Sequence, residues 1–198
     1  MVNTFLVRGN YLTSAQYLDY ARLGKQRVEA AQILTFLEQL RFLAHEFGFP
    51  DFPKNVPTSI EQRTEWIRAI VTTFNKSWSG VIIRNNYIIW IPKGVTPYKI
   101  SDDIYITTGF KSHPAVRAWL GYEESLKEYI TAHIEEWERR GYNNTMRKYP
   151  VTNSIKPLWA VDNSEFVLSC KSKLLEKDPR WYSQFSDFRS THSDYVWP

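Results

Sequence analysis

The chain has 198 residues, 43% of them hydrophobic and 16% aromatic, with a formal net charge of +4. That is enough apolar material for one packed domain, which excludes a disordered chain. A single cysteine, Cys170, excludes an intrachain disulfide and a cysteine metal cluster, and suits a reducing, intracellular setting in cytoplasm or nucleus.

Val2 to Arg8 reads as a short extended piece. Ser14 is expected to cap a helix whose apolar positions include Leu18, Val28, Ala31, Leu34, Leu37, Leu40, Leu43 and Ala44. Gly24 interrupts that pattern and can admit another backbone at close range. Three prolines between Phe47 and Pro57 mark a loop. Thr58 and Glu61 form a capping-box pattern before a helix built on Ile60, Trp66, Ile67, Ile70, Val71 and Phe74.

Two β-branched runs, Val81–Ile83 and Tyr87–Ile91, flank Asn85-Asn86, which suits a tight hairpin; one long strand with a bulge is the alternative. Ile104 to Thr108 reads as a third strand. The most apolar stretch, Val81 to Ile91, is too short to span a membrane, and the first residues lack a signal-peptide core, so neither secretion nor membrane insertion is expected.

The longest clear helix is expected from Pro114 to Gly141, with Val116, Trp119, Leu120, Leu126, Ile130, Ile134 and Trp137 at helical spacing. Trp119, Trp137 and His133 fall on its apolar side and read as core. An irregular, basic segment follows from Tyr142 to Asn163, then a helix from about Glu165 to Lys177 and an aromatic tail. From Arg139 to Arg180 there are nine Lys/Arg against four Asp/Glu, a local bias that fits a nucleic-acid partner. His45 and His192 show no spacing with cysteine or acid that would hold zinc.

Four stretches taken in order resemble one family: Asn3-Thr4-Phe5-Leu6; Arg22-Leu23-Gly24-Lys25-Gln26-Arg27-Val28-Glu29 with its flanks; His113-Pro114-Ala115-Val116 with Trp119, Gly121-Tyr122-Glu123 and Arg139-Arg140-Gly141-Tyr142; and Leu174-Leu175, Lys177-Asp178-Pro179, Trp181-Tyr182 with the closing Tyr195-Val196-Trp197-Pro198. Together they resemble the pyrimidine-dimer DNA glycosylase (endonuclease V) family. The likeness covers roughly residues 1–40 and 109–198, so 41–108 reads as an α+β insertion. The resemblance implies one mainly α domain over 1–198, duplex DNA with damaged or modified pyrimidines as substrate, base excision with strand cleavage by β-elimination, and no cofactor or metal. A monomer is favoured.

A glycosylase with lyase activity needs an uncharged amine to attack the sugar C1′ and a carboxylate to move the proton that elimination releases. The resemblance makes the α-amine of Val2, freed by loss of Met1, the first candidate. Lys25 is the second: Arg22 and Arg27 would depress its pKa, although plain phosphate contact is the competing reading. Glu29 stands four residues after Lys25 on one helix face, either as the catalytic carboxylate or as an ordinary surface ion pair.

Arg22, Arg27, Lys111, His113, Arg139, Arg140, Lys171, Lys173, Arg180, Trp181 and Tyr182 are the expected DNA contacts. His113 serves equally well as a helix cap, and the Trp181–Tyr182 aromatics serve either to stack on bases or to close the core. Cys170 stands between Ser169 and Ser172 where the family more often has histidine. Three rival functions follow: a non-catalytic DNA-binding module, a glycosylase for another modified base, or a protein-interaction domain that uses 41–108.

Overall fold

The computed structural model describes residues 4–54, 58–98, 100–109, 111–150 and 154–198. Among them are seven helices and one three-stranded sheet: α1 (Tyr11–Tyr17), α2 (Tyr20–Glu46), α3 (Ile60–Ser77), β1 (Trp78–Arg84), β2 (Tyr87–Pro92), β3 (Ile104–Ile106), α4 (Pro114–Trp119), α5 (Glu123–Arg139), α6 (Glu165–Lys177) and α7 (Pro179–Tyr182). The fold is mainly α, as the family resemblance implies.

The core lies between α2 and α5, which bury Leu23, Ala30, Ile33 and Leu37 against Leu126, Tyr129, Ile130 and Ile134. Gly24 is the close-approach position. A Cβ there would lie 3.0 Å from Trp137 Cζ3, so glycine lets the indole seat directly on the α2 backbone. α1 crosses the start of α5, where the Tyr11 hydroxyl and Ser125 Oγ share a 2.6 Å hydrogen bond.

Several predicted boundaries are corrected. Ser14 does not cap a helix: it lies inside α1, and its Oγ accepts from Val7 N–H at 2.9 Å. The cap of α1 is Asn10, whose side chain accepts from Thr13 N–H. The chain then extends through Leu18, and Asp19 caps α2 by accepting from Arg22 N–H. The capping box before α3 is Ser59 with Gln62, not Thr58 with Glu61. Thr58 instead anchors the buried guanidinium of Arg63 through both its hydroxyl and its carbonyl.

The predicted 114–141 helix is two helices. Gly121 adopts a φ of +87°, which interrupts the helix, and α5 restarts at Glu123. Consequently the longest helix among the described residues is α2, at 27 residues, and it runs unbroken across position 41.

The hairpin forms as expected, with Asn85 and Asn86 at φ 47° and 67° supplying the left-handed turn. β3 pairs with the other edge of β1, giving the order β2-β1-β3, all antiparallel. Trp78, Trp90, Phe47 and Phe74 join the sheet to α2 and α3.

The aromatic tail folds back. Ser169 Oγ accepts from Val196 N–H, and Ser172 Oγ accepts from Thr191 and His192 N–H, so two serines of α6 fasten the last residues along that helix. Trp197 then packs on Phe166 and against the edge of His113, while Tyr195 meets Phe5.

Candidate active site

The described chain begins at Thr4, which is buried and accepts a hydrogen bond from Trp119 Nε1. Phe5 follows, and its N–H donates to Gln26 Oε1 at 2.6 Å. Tyr129 Oη lies 2.9 Å from Phe5 O and 3.0 Å from Gln26 Oε1, so one phenolic proton serves two acceptors. Burial drives the Tyr129 phenol well above its ordinary pKa, which keeps it a donor. Gln26 Nε2 in turn donates to Glu29 Oε2 at 3.3 Å, and Lys25 Nζ lies 3.5 Å from Glu29 Oε1. The start of the chain, a carboxylate only 6% exposed and an open lysine are thus tied together by α2 and α5.

Val2, the first candidate nucleophile, lies outside the described residues. Lys25 and Glu29 do meet, with Lys25 in solvent and Glu29 largely buried. Arg22 adjoins them, with Nη1 3.4 Å from Asp19 and 3.6 Å from Asp178, and Nη2 donating to Lys177 O at 3.4 Å.

Arg27 does not join this group. With about 3.6 residues per turn, positions 22, 25, 26 and 29 share one flank of α2, whereas 20, 24 and 27 share the opposite flank. Arg27 sits with its guanidinium carbon 4.0 Å from the Trp137 ring and donates to Asn144 Oδ1. Tyr20 and Tyr142 complete that aromatic cluster.

The other expected DNA contacts divide by burial. Tyr182 is fully buried, and its hydroxyl donates to Asp19 Oδ2 at 2.6 Å; burial and that carboxylate raise its pKa, and the ring offers no face to a base. Lys111 is 1% exposed. It donates to Gln39 Oε1 at 2.7 Å and to Thr107 O, and burial pushes its pKa down to about 8. These two expectations are corrected: both side chains join elements inside the fold.

Lys171 is also buried, and its ammonium meets Asp187 at 2.7 Å, as does Arg8. The pair borders a cleft of about 430 Å³ lined by Leu168, Ser186, Arg189 and Thr191, none of which belongs to the Lys25–Glu29 group. Arg140 pairs with the buried Glu136 and donates to Leu18 O at 2.7 Å, fastening the α1–α2 corner. Arg139 and Arg180 are exposed, Lys173 pairs with Glu176, and Trp181 is 37% exposed with its Nε1 donating to Tyr17 O. His113 caps α4, its Nδ1 accepting from Ala115 N–H; burial and then Arg117 lower its pKa. Cys170 is fully buried and pushed up to about 12 by that burial, so it presents no reactive thiolate.

Two residues of the site escaped the sequence reading. Gln26 bridges Phe5 and Glu29, a role its i,i+3 spacing to Glu29 could have suggested. Lys177 at the end of α6 lies over the Phe5 ring at 4.8 Å and donates to Tyr195 Oη at 2.9 Å. Burial of its ammonium, then the charges of Arg22 and Lys25, hold its pKa below the ordinary lysine value, with Glu29 opposing.

Among the described residues no group of His, Cys, Asp and Glu could hold a metal ion, and no helix is long and apolar enough to cross a membrane. The fold is mainly α, and its site sets Lys25 against the largely buried Glu29. The chain belongs to the pyrimidine dimer DNA glycosylase family, whose family model matches residues 2–150. Membership implies glycosylase activity and DNA as the substrate. No curated protein and no solved structure matches the chain.

Proposed function

We propose that the protein excises damaged pyrimidines from duplex DNA and then cleaves the strand by β-elimination. An amine of the site, the α-amine of Val2 or Nζ of Lys25, adds to the sugar C1′ and the base departs. The resulting imine makes the C2′ proton acidic; Glu29 removes it, and the 3′-phosphate leaves. Arg22, Arg139, Lys173 and Arg180 hold backbone phosphates, and Trp181 stacks at the edge of a nucleotide drawn out of the helix. Such a protein works inside the cell, where its DNA is.

The observation that carries this reading is the largely buried Glu29, joined through Gln26 to the chain start at Phe5 and through its other oxygen to Lys25. A carboxylate placed only for surface pairing needs neither the burial nor the glutamine bridge.

The test uses the full-length protein and a duplex oligonucleotide carrying a single cyclobutane pyrimidine dimer. Glycosidic-bond cleavage is read as free pyrimidine after photoreversal of the dimer, because the cut base stays tied to its neighbour through the cyclobutane ring, and strand scission is followed with and without borohydride. The expected result is glycosidic cleavage, scission and a covalent adduct under borohydride. Binding without release or adduct would leave a non-catalytic DNA-binding module in its place.

A further inference from the structure

We propose that the groove between α3 and α4 is a phosphate-binding site, and that its occupant is a backbone phosphate of the DNA duplex lying outside the reacting nucleotide. The inference rests on the DNA-processing reading above but does not follow from it, since that reading places no contact on residues 41–108, where α3 lies.

The groove has a volume of about 200 Å³, and its lining includes Arg68 and Thr72 of α3, Ser112, and Arg117 of α4, with no carboxylate. Arg22, Arg41, Arg139, Arg140 and Lys171 each meet an acidic side chain. Among the described residues Arg68 and Arg117 have no such partner, so two cations line one groove without a counter-charge. Arg117 Nε is also shielded from solvent and has no hydrogen-bond partner, a cost that an oxyanion accepting from it would remove. Thr72 and Ser112 are exposed, and their hydroxyls are free to donate. A set of guanidinium and hydroxyl donors without a carboxylate matches the acceptor-only oxygens of a phosphate.

Size and position indicate which phosphate. The volume is below the roughly 300–1,000 Å³ of pockets that bury a whole small molecule, so the groove suits one anionic group projecting from a larger ligand. Arg117 stands one turn along α4 from His113, whose carbonyl accepts from Arg117 N–H at 3.2 Å. From His113 the path to the chain start runs through three ring contacts: Trp197 at 6.1 Å, then Tyr195 at 6.2 Å, then Phe5 at 5.9 Å. Those steps together are shorter than one turn of duplex, roughly 34 Å. A duplex seated on the Lys25–Glu29 group therefore passes within a turn of the groove, while the groove shares no residue with that group.

The experiment is phosphate-ethylation interference on the full-length protein bound to a duplex carrying one pyrimidine dimer, with the salt dependence of binding measured on the same duplex. Two variants are compared with the wild type. The double variant Arg68→Gln, Arg117→Gln removes both charges. Thr72→Glu places a carboxylate one turn after Arg68 on the exposed side of α3, which neutralises the groove from within. The expected result is one ethylation-sensitive phosphate outside the reacting nucleotide that both variants lose. The slope of log K against log salt falls by about one unit, and binding at 0.1 M salt weakens about five- to tenfold. T72E keeps the wild-type melting temperature, which separates a lost contact from a lost fold. A second arm titrates inorganic phosphate by ³¹P NMR. Phosphate binding that the variants abolish while DNA footprint and slope stay unchanged makes the groove a free-anion site and overturns the DNA assignment. Unchanged footprint and slope without phosphate binding overturn the site itself. Either outcome leaves base excision standing, whereas a wild type that neither binds the duplex nor cleaves its glycosidic bond overturns both readings.

Discussion

Acid should weaken this fold through one imidazole beneath the site. His133 is fully buried in α5 with its ring 3.9 Å from that of Tyr129. Its Nδ1–H donates to Tyr129 O at 2.8 Å, which leaves Nε2 as a buried acceptor without a partner. Adding a proton there creates a buried cation with no acceptor for its second N–H, and burial accordingly pushes the pKa from 6.5 down to about 4. Between those values the unfolded chain binds a proton that the folded chain refuses. Stability is therefore complete above about pH 6.5 and falls as pH drops toward 4. From pH 7 to pH 5 the window crossed is about 1.5 pH units, and at about 1.4 kcal/mol per unit the loss is ~2 kcal/mol. The assay is urea denaturation at pH 7, 6 and 5 of the wild type and His133→Leu. Carboxylates titrate alike in both, so the difference between the two pH dependences isolates His133. Parallel curves, with no extra ~2 kcal/mol lost by the wild type, would refute the reasoning.

Glu29→Gln retains an oxygen for Gln26 but cannot accept the C2′ proton; strand scission should fall by about 10²- to 10⁴-fold while the thermal melt stays close to the wild type, measured by single-turnover cleavage. Tyr182→Phe removes a 2.6 Å bond to the buried Asp19 and should cost about 1.5–3 kcal/mol in urea denaturation. The salt dependence of its DNA binding should be unchanged, and a shallower slope would return Tyr182 to the DNA interface. Arg27→Ala strips the cation from the Trp137 face and should destabilise by about 1–2 kcal/mol, again with an unaltered salt slope. A slope reduced by about one unit would mean that Arg27 does hold a phosphate.

The fold was legible where local physics decides it. Apolar spacing marked α2, α3 and α5, and Asn85-Asn86 marked the hairpin because adjacent left-handed positions are tolerated by few other residues. Cap positions were less legible because several residues near a helix start have suitable side chains. Ser14 had the right chemistry, but Val7 N–H had already claimed its hydroxyl, and Asn10 took the cap. Thr58 was diverted in the same way by Arg63, leaving the cap to Ser59. In each case a contact outside the helix settled the competition.

The site shows the same division. Lys25 and Glu29 could be paired from their i,i+4 spacing, because a helix enforces that neighbourhood without help from the rest of the chain. The same geometry argues against grouping Arg22 with Arg27: five residues bring the chain round to the opposite flank, where Trp137 waits above Gly24. Lys177 was out of reach of such arguments. Its environment comes from Phe5, at the other end of the chain, and from Tyr195, carried back by serine hydroxyls whose hydrogen bonds leave no periodic trace in the sequence. The aromatic tail is largely used here as well. Tyr182, Phe188, Tyr195 and Trp197 close the tail over α6 and the chain start, and of these Tyr195 lies against the ammonium of Lys177 together with Phe5. Packing and site thus meet at the same rings, so a tail truncation should disturb the surroundings of Lys177 along with the stability of α6.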